Sequence, residues 1–590
     1  MTPSDERRSR ELGWPALVVA GLVAVRLCLA DHAPSSVDAL LTAGFALLGV
    51  VAALREPTLP SRAVVLSLLV LVVTLALSSA LSWHPLLSAL ALPSALAPLA
   101  ALLALLGLGR GVRRPVLTAI AGGAALSGAV AGAQRFVLWP DALRRKDELQ
   151  LSAEIISRFE SARPLGLSLS PDLAGAIALA GLAASLALLS SSGQRHRSLW
   201  LTSALLSLLG VALSRSHGVA LAVAAFLLGV LALRALATRR VRAGALAGGL
   251  ALVAAVPALL LVVFGRGVDA LLASSSERIG NWAVALRAFG DDPLLGVGVG
   301  RFAATYTAHR TPDTNVTRYA HSLPFHSLAE TGVVGALAGL AVLALFLTAV
   351  ARAYRKTDRA PTWTEALVTA GAAALGLRCL YDYDAQVAQT ATAIAALVGL
   401  AWLDADRARA PAPRAGRALC ALPSAVILLV TALSLPLLWS REAALEPFER
   451  GGAPTLEDVE RLQRYARSHP GDEPAALMTL RLDLAALSGC REGCGERAAA
   501  LAARVDERLA RPHAPGEVFV AAALLARRRG AEGEARARVA EGLAVEPGNP
   551  SLHALHVALA ASDEEAARAR TEALRWLRPE QLDALVAPLR

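Results

Sequence analysis

The sequence predicts an all-α protein, a polytopic membrane bundle of about thirteen spanning helices followed by a soluble helical domain. Three observations carry this. Over 590 residues, 55% are hydrophobic and only 18% charged, with a mean hydropathy of +0.50. The charge is unevenly spread: 45 Asp, Glu, Lys and Arg residues fall within 441–590, or 30% of that stretch, against 61, or 14%, in residues 1–440. Finally, apolar runs near the length of a bilayer crossing recur along the first 440 residues, and about 20 residues are needed to span roughly 30 Å of hydrocarbon. Aromatic residues at 4%, amid abundant Ala and Leu, argue against a β-barrel with its aromatic girdles.

The spanning segments are expected near 14–30, 37–54, 63–82, 85–108, 115–133, 173–191, 198–213, 218–237, 243–265, 332–351, 363–380, 386–403 and 418–439. The first follows Arg7, Arg8 and Arg10, but Arg26 interrupts it and no convincing small-residue cleavage site follows. It reads as a retained helix rather than a signal peptide.

Lys and Arg in short loops set orientation, because they stay on the cytoplasmic side. One alternating set of loops holds 22 of them, while the short loops of the other set contain Arg215 alone. The N-terminus is therefore expected in the cytoplasm. Two long loops, 134–172 and 266–331, and the domain at 441–590 are expected on the outer side, the periplasm of a bacterial inner membrane.

The net charge of +10 sits almost entirely at helix ends. Residues 441–590 carry 21 basic and 24 acidic side chains and present no basic surface, so no nucleic-acid partner is expected. Cys28, Cys379 and Cys420 lie in apolar runs, leaving Cys490 and Cys494 as the pair suited to a local bridge in an oxidising compartment.

From Arg441 the chain alternates amphipathic Ala, Leu and Arg runs with turns such as His469-Pro470-Gly471-Asp472 and Glu546-Pro547-Gly548-Asn549. The stretch Ala522 to Pro547 has the spacing of a tetratricopeptide-like helix pair. A generic helical domain is the alternative. Either could receive a protein partner.

Candidate chemistry gathers in the outer loops. Arg215, in Leu213-Ser214-Arg215-Ser216-His217-Gly218, stands alone among the short outer loops and reads as functional, with a snorkelling arginine at the headgroups as the alternative. Arg278, Trp282, Ala285, Leu286 and Phe289 recur at helical spacing, predicting an interfacial helix over 276–290; such a stripe is more often structural than functional. Gly296, Gly298 and Gly300, ahead of Arg301, permit close backbone approach to an anion, but lack the strand and helix of a dinucleotide-binding turn. His321 and His326 are competing candidates for proton transfer before the tenth span. A lone histidine in such a place is more often structural. Asp382 and Asp384 form an isolated acidic pair, with Arg378 one turn away as the expected partner of Asp382. No metal constellation is recognisable, and neither a metal nor another cofactor is expected.

Four stretches together resemble the O-antigen ligase and polymerase family of bacterial membrane glycosyltransferases. They are Arg163-Pro164-Leu165-Gly166 to Ser170-Pro171-Asp172-Leu173-Ala174, Ser214-Arg215-Ser216-x-Gly218, Arg278-x-x-x-Trp282 followed by Pro293-Leu294-Leu295-Gly296-Val297-Gly298, and Ala320-His321 with Glu330-x-Gly332. The resemblance spans roughly residues 60–405. It implies transfer or polymerisation of undecaprenyl-diphosphate-linked glycan onto a hydroxyl acceptor, either glycan or lipid A-core, amid membrane lipids. His321, Arg215 and Arg278 would serve the active site, with Arg163, Gly296, Gly298, Arg301 and His326 bordering the substrate. The family usually has asparagine where this chain has Ser322. A polysaccharide transporter or flippase, and a non-catalytic assembly protein with a partner-binding tail, are the rival readings.

Overall fold

A computed structural model describes residues 13–29, 34–55, 60–191, 193, 196–238, 268–312, 314, 317–356, 361–405, 414–449, 454–488, 490, 494–511 and 513–589. Among these the regular structure is helical and contains no strand. The bundle begins with α1 (Gly13–Cys28), α2 (Ser35–Arg55), α3 (Arg62–Ala80), α4 (Pro85–Leu108) and α5 (Arg113–Ala133). A π-turn at Gln134–Leu138 leads to α6 (Trp139–Arg144) and then α7 (Ala153–Glu160). The bundle continues with α8 (Pro171–Ser191), α9 (Arg197–Ser214) and α10 (His217–Thr238). After the loop helices α11 (Val268–Asp291) and α12 (Phe302–His309) come α13 (Leu323–Lys356), α14 (Trp363–Arg378), α15 (Ala388–Ala405) and α16 (Arg414–Glu449). Each expected span among the described residues coincides with a helix; the ninth, at 243–265, lies outside the described residues. The apolar lengths are those of a multi-pass membrane protein.

Hydrocarbon cannot drive one apolar helix onto another, so close packing of small residues has to. A Cβ placed on Gly128 of α5 would lie 2.1 Å from the Leu206 carbonyl oxygen of α9, and one on Gly181 of α8 would lie 2.1 Å from Ala124 Cβ. Ser203 Oγ donates to the Ala121 carbonyl across the same junction. Arg26, which breaks the apolar run of α1, is buried and paired with Asp38 of α2 at 2.7 Å.

Polar contacts sort the loops onto two faces. On one, Arg110 donates to the Leu403 carbonyl, Arg113 pairs with Asp404 at 3.1 Å and Arg234 donates to the Pro361 carbonyl. On the other, Ser36 bonds Glu442, Arg163 donates to the Ser214 carbonyl and Trp83 stacks on His513 at 3.7 Å. The second face carries the long loops and the C-terminal domain.

The composition break near Ser440 is not a structural break. Helix α16 runs on to Glu449, and its end, through Ala444 and Leu445, packs with Leu462, Tyr465 and Ala475. The domain continues as α17 (Leu456–Ser468), α18 (Glu473–Ser488), α19 (Cys494–Leu509), α20 (Gly516–Arg528), α21 (Glu532–Val545), α22 (Pro550–Ala558), α23 (Asp563–Ala573) and α24 (Pro579–Val586). Successive helices share small local cores, such as Leu480, Leu501, Val505 and Val518, then Phe519, Val539 and Leu552.

Candidate active site

The site starts from a broken helix. Gly332 adopts φ 61° within α13, a region that favours glycine. The break frees backbone groups that the glycine-rich loop then satisfies: Val297 N–H donates to the Ala329 carbonyl, Gly298 N–H to that of Glu330, and Val333 N–H to that of Pro293. The approach is backbone on backbone, for a Cβ on Gly296 would meet the Glu330 carbonyl carbon at 2.3 Å. A Cβ on Gly298 would strike Ser82 at the same distance. These glycines do admit an anion, but it is the chain's own. The Glu330 carboxylate accepts from Gly300 N–H at 2.9 Å and Phe302 N–H at 3.0 Å. Gly296 and Gly298 are themselves buried, packed closely on the Glu330 backbone and on Ser82.

Glu330 also fixes His326, whose Nε2 lies 3.3 Å away. His326 is buried, meets the Phe302 ring edge-on at 5.3 Å, and its Nδ1 accepts from Ala320 N–H at 3.5 Å. It holds the backbone just before His321. The two histidines thus have different surroundings: His326 is enclosed, whereas His321 keeps 22% of its side chain exposed.

Helix α11 extends the expected interfacial helix to Val268–Asp291, and its inner face keeps Ala285 of the expected stripe but not Leu286. Asn281, Val284, Ala285 and Ala288 are buried against α12 and α13, while Leu286 and Ile279 are exposed. Trp282 Nε1 donates to the His321 carbonyl at 3.3 Å and stacks on Phe325.

The decisive partner lies in the loop between α14 and α15. Asp382 is not isolated with Asp384, as the sequence suggested. Its Oδ1 stands 3.6 Å from His321 Nδ1, its Oδ2 3.8 Å from Arg278 and 2.7 Å from Arg378. Arg378, wholly buried, also reaches Asp384 at 3.0 Å and donates to the Asp172 carbonyl. Tyr383 meets the His321 ring at 4.7 Å, stacks on Tyr319 and donates to Ser170 Oγ at 2.8 Å. Leu323 N–H donates to the Cys379 carbonyl at 2.7 Å, fastening the His321 loop to this one.

Arg215 borders the same cluster through its turn. It caps α9 in the left-handed conformation, at φ 48°. Three residues on, a Cβ on Gly218 would lie 3.4 Å from Asp382 Oδ2 and 3.8 Å from Arg378 Nε. Arg163 supports this turn by donating to the Ser214 carbonyl at 3.0 Å, and pairs with Asp172 at 3.2 Å. His321 is also left-handed, at φ 55°. Non-glycine residues held there cost on the order of 1–3 kcal/mol each and persist where surroundings over-determine them, commonly at functional sites. Arg301 is elsewhere: it is buried and faces Glu473 of α18 at 3.7 Å.

The charges follow from these contacts. Burial pushes Asp382 upward, but Arg378, a contact with His321 and Arg278 outweigh it, holding the carboxyl well below the ordinary range. For Asp384, burial dominates over Arg378 and the neighbouring Asp382 adds to it, so this carboxyl is raised. Burial likewise raises the Tyr383 hydroxyl despite its bond to Ser170. The site presents one fixed carboxylate, Asp382, aimed at a partly accessible imidazole. Among the described residues there is no group of three or more His, Cys, Asp or Glu able to hold a metal ion.

Residues 202–340 match the family model described as O-antigen ligase, a likeness that spans that segment and coarsely supports glycan transfer of that type. The match includes Arg215, Arg278 and His321; Asp382 lies beyond it. No curated protein matches the chain.

Proposed function

We propose that this chain transfers glycan from an undecaprenyl-diphosphate-linked donor to a hydroxyl acceptor, glycan or lipid A-core, at the periplasmic face of the bacterial inner membrane. The observation that carries the reading is the meeting of His321 and Arg278 on buried Asp382, beside the turn that bears Arg215.

A carboxylate next to Nδ1 stabilises the tautomer with its proton there, and leaves the Nε2 lone pair for the acceptor hydroxyl. The acceptor oxygen attacks the anomeric carbon as His321 takes its proton. The bond from that carbon to the diphosphate oxygen breaks, and undecaprenyl diphosphate leaves with the bonding electrons. Arg215 and Arg278, permanently charged and able to bind phosphate bidentately, stabilise the charge gained by the leaving group. Asp382 then balances the imidazolium until its proton passes to water. The step requires no nucleotide and, in this reading, no metal. Arg163 and His326 act indirectly, holding the Arg215 turn and the His321 loop.

Deleting the gene and separating surface polysaccharide and carrier-linked intermediates by gel tests the reading. Loss of a polymerase leaves single repeats, whereas loss of a ligase leaves long chains on the carrier. An unchanged pattern in both pools contradicts it.

A further inference from the structure

Helix α12 joins the C-terminal domain to the candidate site. At its start, Arg301 faces Glu473; just past its end, Arg310 donates to the Gly548 carbonyl at 3.0 Å and lies over the Trp576 ring at 5.3 Å. Thus one eight-residue helix touches two separate parts of the C-terminal domain, around α18 and across the α21–α22 turn with the end of α23. Neighbouring contacts seat the domain further. Trp83 stacks on His513, and Leu86 packs within 3.6 Å of where a Gly471 Cβ would be.

From the other side of α12, the contacts lead to both proposed site residues. Tyr306 donates to buried Asn281 at 2.7 Å, one turn along α11 from Arg278. Phe302 N–H bonds Glu330, which faces His326, which in turn accepts from the backbone of Ala320 beside His321. The positive φ of His321 demands outside support of this kind.

Resting on the function proposed above, we infer that Glu473 and Trp576 are positioning residues: the docked C-terminal domain holds α12, and through it the Arg278 helix and the His321 loop, in transfer geometry. Arg301 and Arg310 are its attachment points rather than ligands of the substrate. A domain that only recruited a partner would leave transfer by the isolated protein untouched.

The test uses the purified full chain in lipid nanodiscs. Glu473→Gln, an isosteric change, and Trp576→Ala are compared with Arg310→Lys, which keeps a cation over the ring. Hydrogen exchange over residues 302–322 and the kinetics of transfer from a lipid-linked donor are measured on each. Both Glu473→Gln and Trp576→Ala should speed exchange in 302–322 and lower kcat about tenfold with the donor KM nearly unchanged, as expected when reacting groups are misplaced but binding survives. Arg310→Lys should retain most of the rate. Unchanged exchange in both variants, or faster exchange at an unchanged kcat, overturns the inference. Failure of the unmutated protein to transfer at all would instead overturn the function on which it rests, and the exchange measurement reads the coupling independently.

Discussion

Asp382 Oδ1 stands 3.6 Å from Nδ1 of His321, although the two residues belong to different loops and are 61 positions apart in the chain. The carboxylate is almost wholly buried, the imidazole is partly open, and Arg378 and Arg278 share the second carboxylate oxygen. In the proposed function Asp382 orients and charges His321 rather than attacking substrate itself.

Asp382→Asn should therefore lower kcat, by up to about ten-thousandfold if it orients the base as the carboxylate of a Ser-His-Asp triad does. It should also lower thermal stability, because buried Arg378 keeps Asp384 as its carboxylate partner but loses Asp382. Transfer rate and melting temperature in detergent check both effects. A normal rate would remove Asp382 from the mechanism.

The glycine loop gives a stability prediction. Gly296→Ala forces a Cβ into the Glu330 backbone at φ 72°, and should destabilise by at least about 1–3 kcal/mol. Gly290→Ala, in α11 with nothing within 4 Å of the added Cβ, should be neutral or slightly stabilising. Unfolding of the two variants side by side separates a packing role from a general intolerance of alanine.

How far the sequence carries the site can be judged from these residues. Apolar length and arginine alternation made the described spans legible, because both are local properties of the chain. Gly296, Gly298 and Gly300 were legible as sites of backbone approach to an anion, yet not in their partner: that Glu330 supplies the anion depends on a helix break at Gly332 returning upon a loop. The pairing of Asp382 with Arg378 followed from i,i+4 spacing. Its contact with His321 did not, since no local period links a loop after α12 to one after α14. The apolar stripe of α11 held at Ala285 and failed at Leu286 for a related reason. A helix packed between two others buries Asn281 and Ala288, while leaving Leu286 to the outside.

Where the C-terminal domain meets the bundle, stability should depend on acidity. Burial, the Arg301 charge and His513 push His84 down to about 4 from the ordinary 6.5. The unfolded state then binds more protons between these values, so stability falls as pH drops from about 6.5 toward 4 and levels off below. The melting temperature of the full chain against pH, compared with His84→Gln, reads this contribution; a flatter profile in the variant is expected.

Cys490 and Cys494 face one another with their sulfurs 2.6 Å apart. In protein purified from an oxidising compartment without reductant, mass spectrometry should find the peptide two hydrogens lighter. Two free thiols would argue against a bridge. An alkaline phosphatase fusion after Ser440 should be active and one after Arg409 inactive, as the arginine alternation requires.

In the proposed function His321 takes the acceptor proton within a site of two arginines. This role is tested most directly by transfer from a lipid-linked donor, using purified His321→Ala in nanodiscs with EDTA present throughout. The unmutated protein should transfer under these conditions, and the variant should bind donor but lose about a hundred- to ten-thousandfold in rate. Transfer by His321→Ala at the unmutated rate would contradict it, as would loss of activity in EDTA that added magnesium restores.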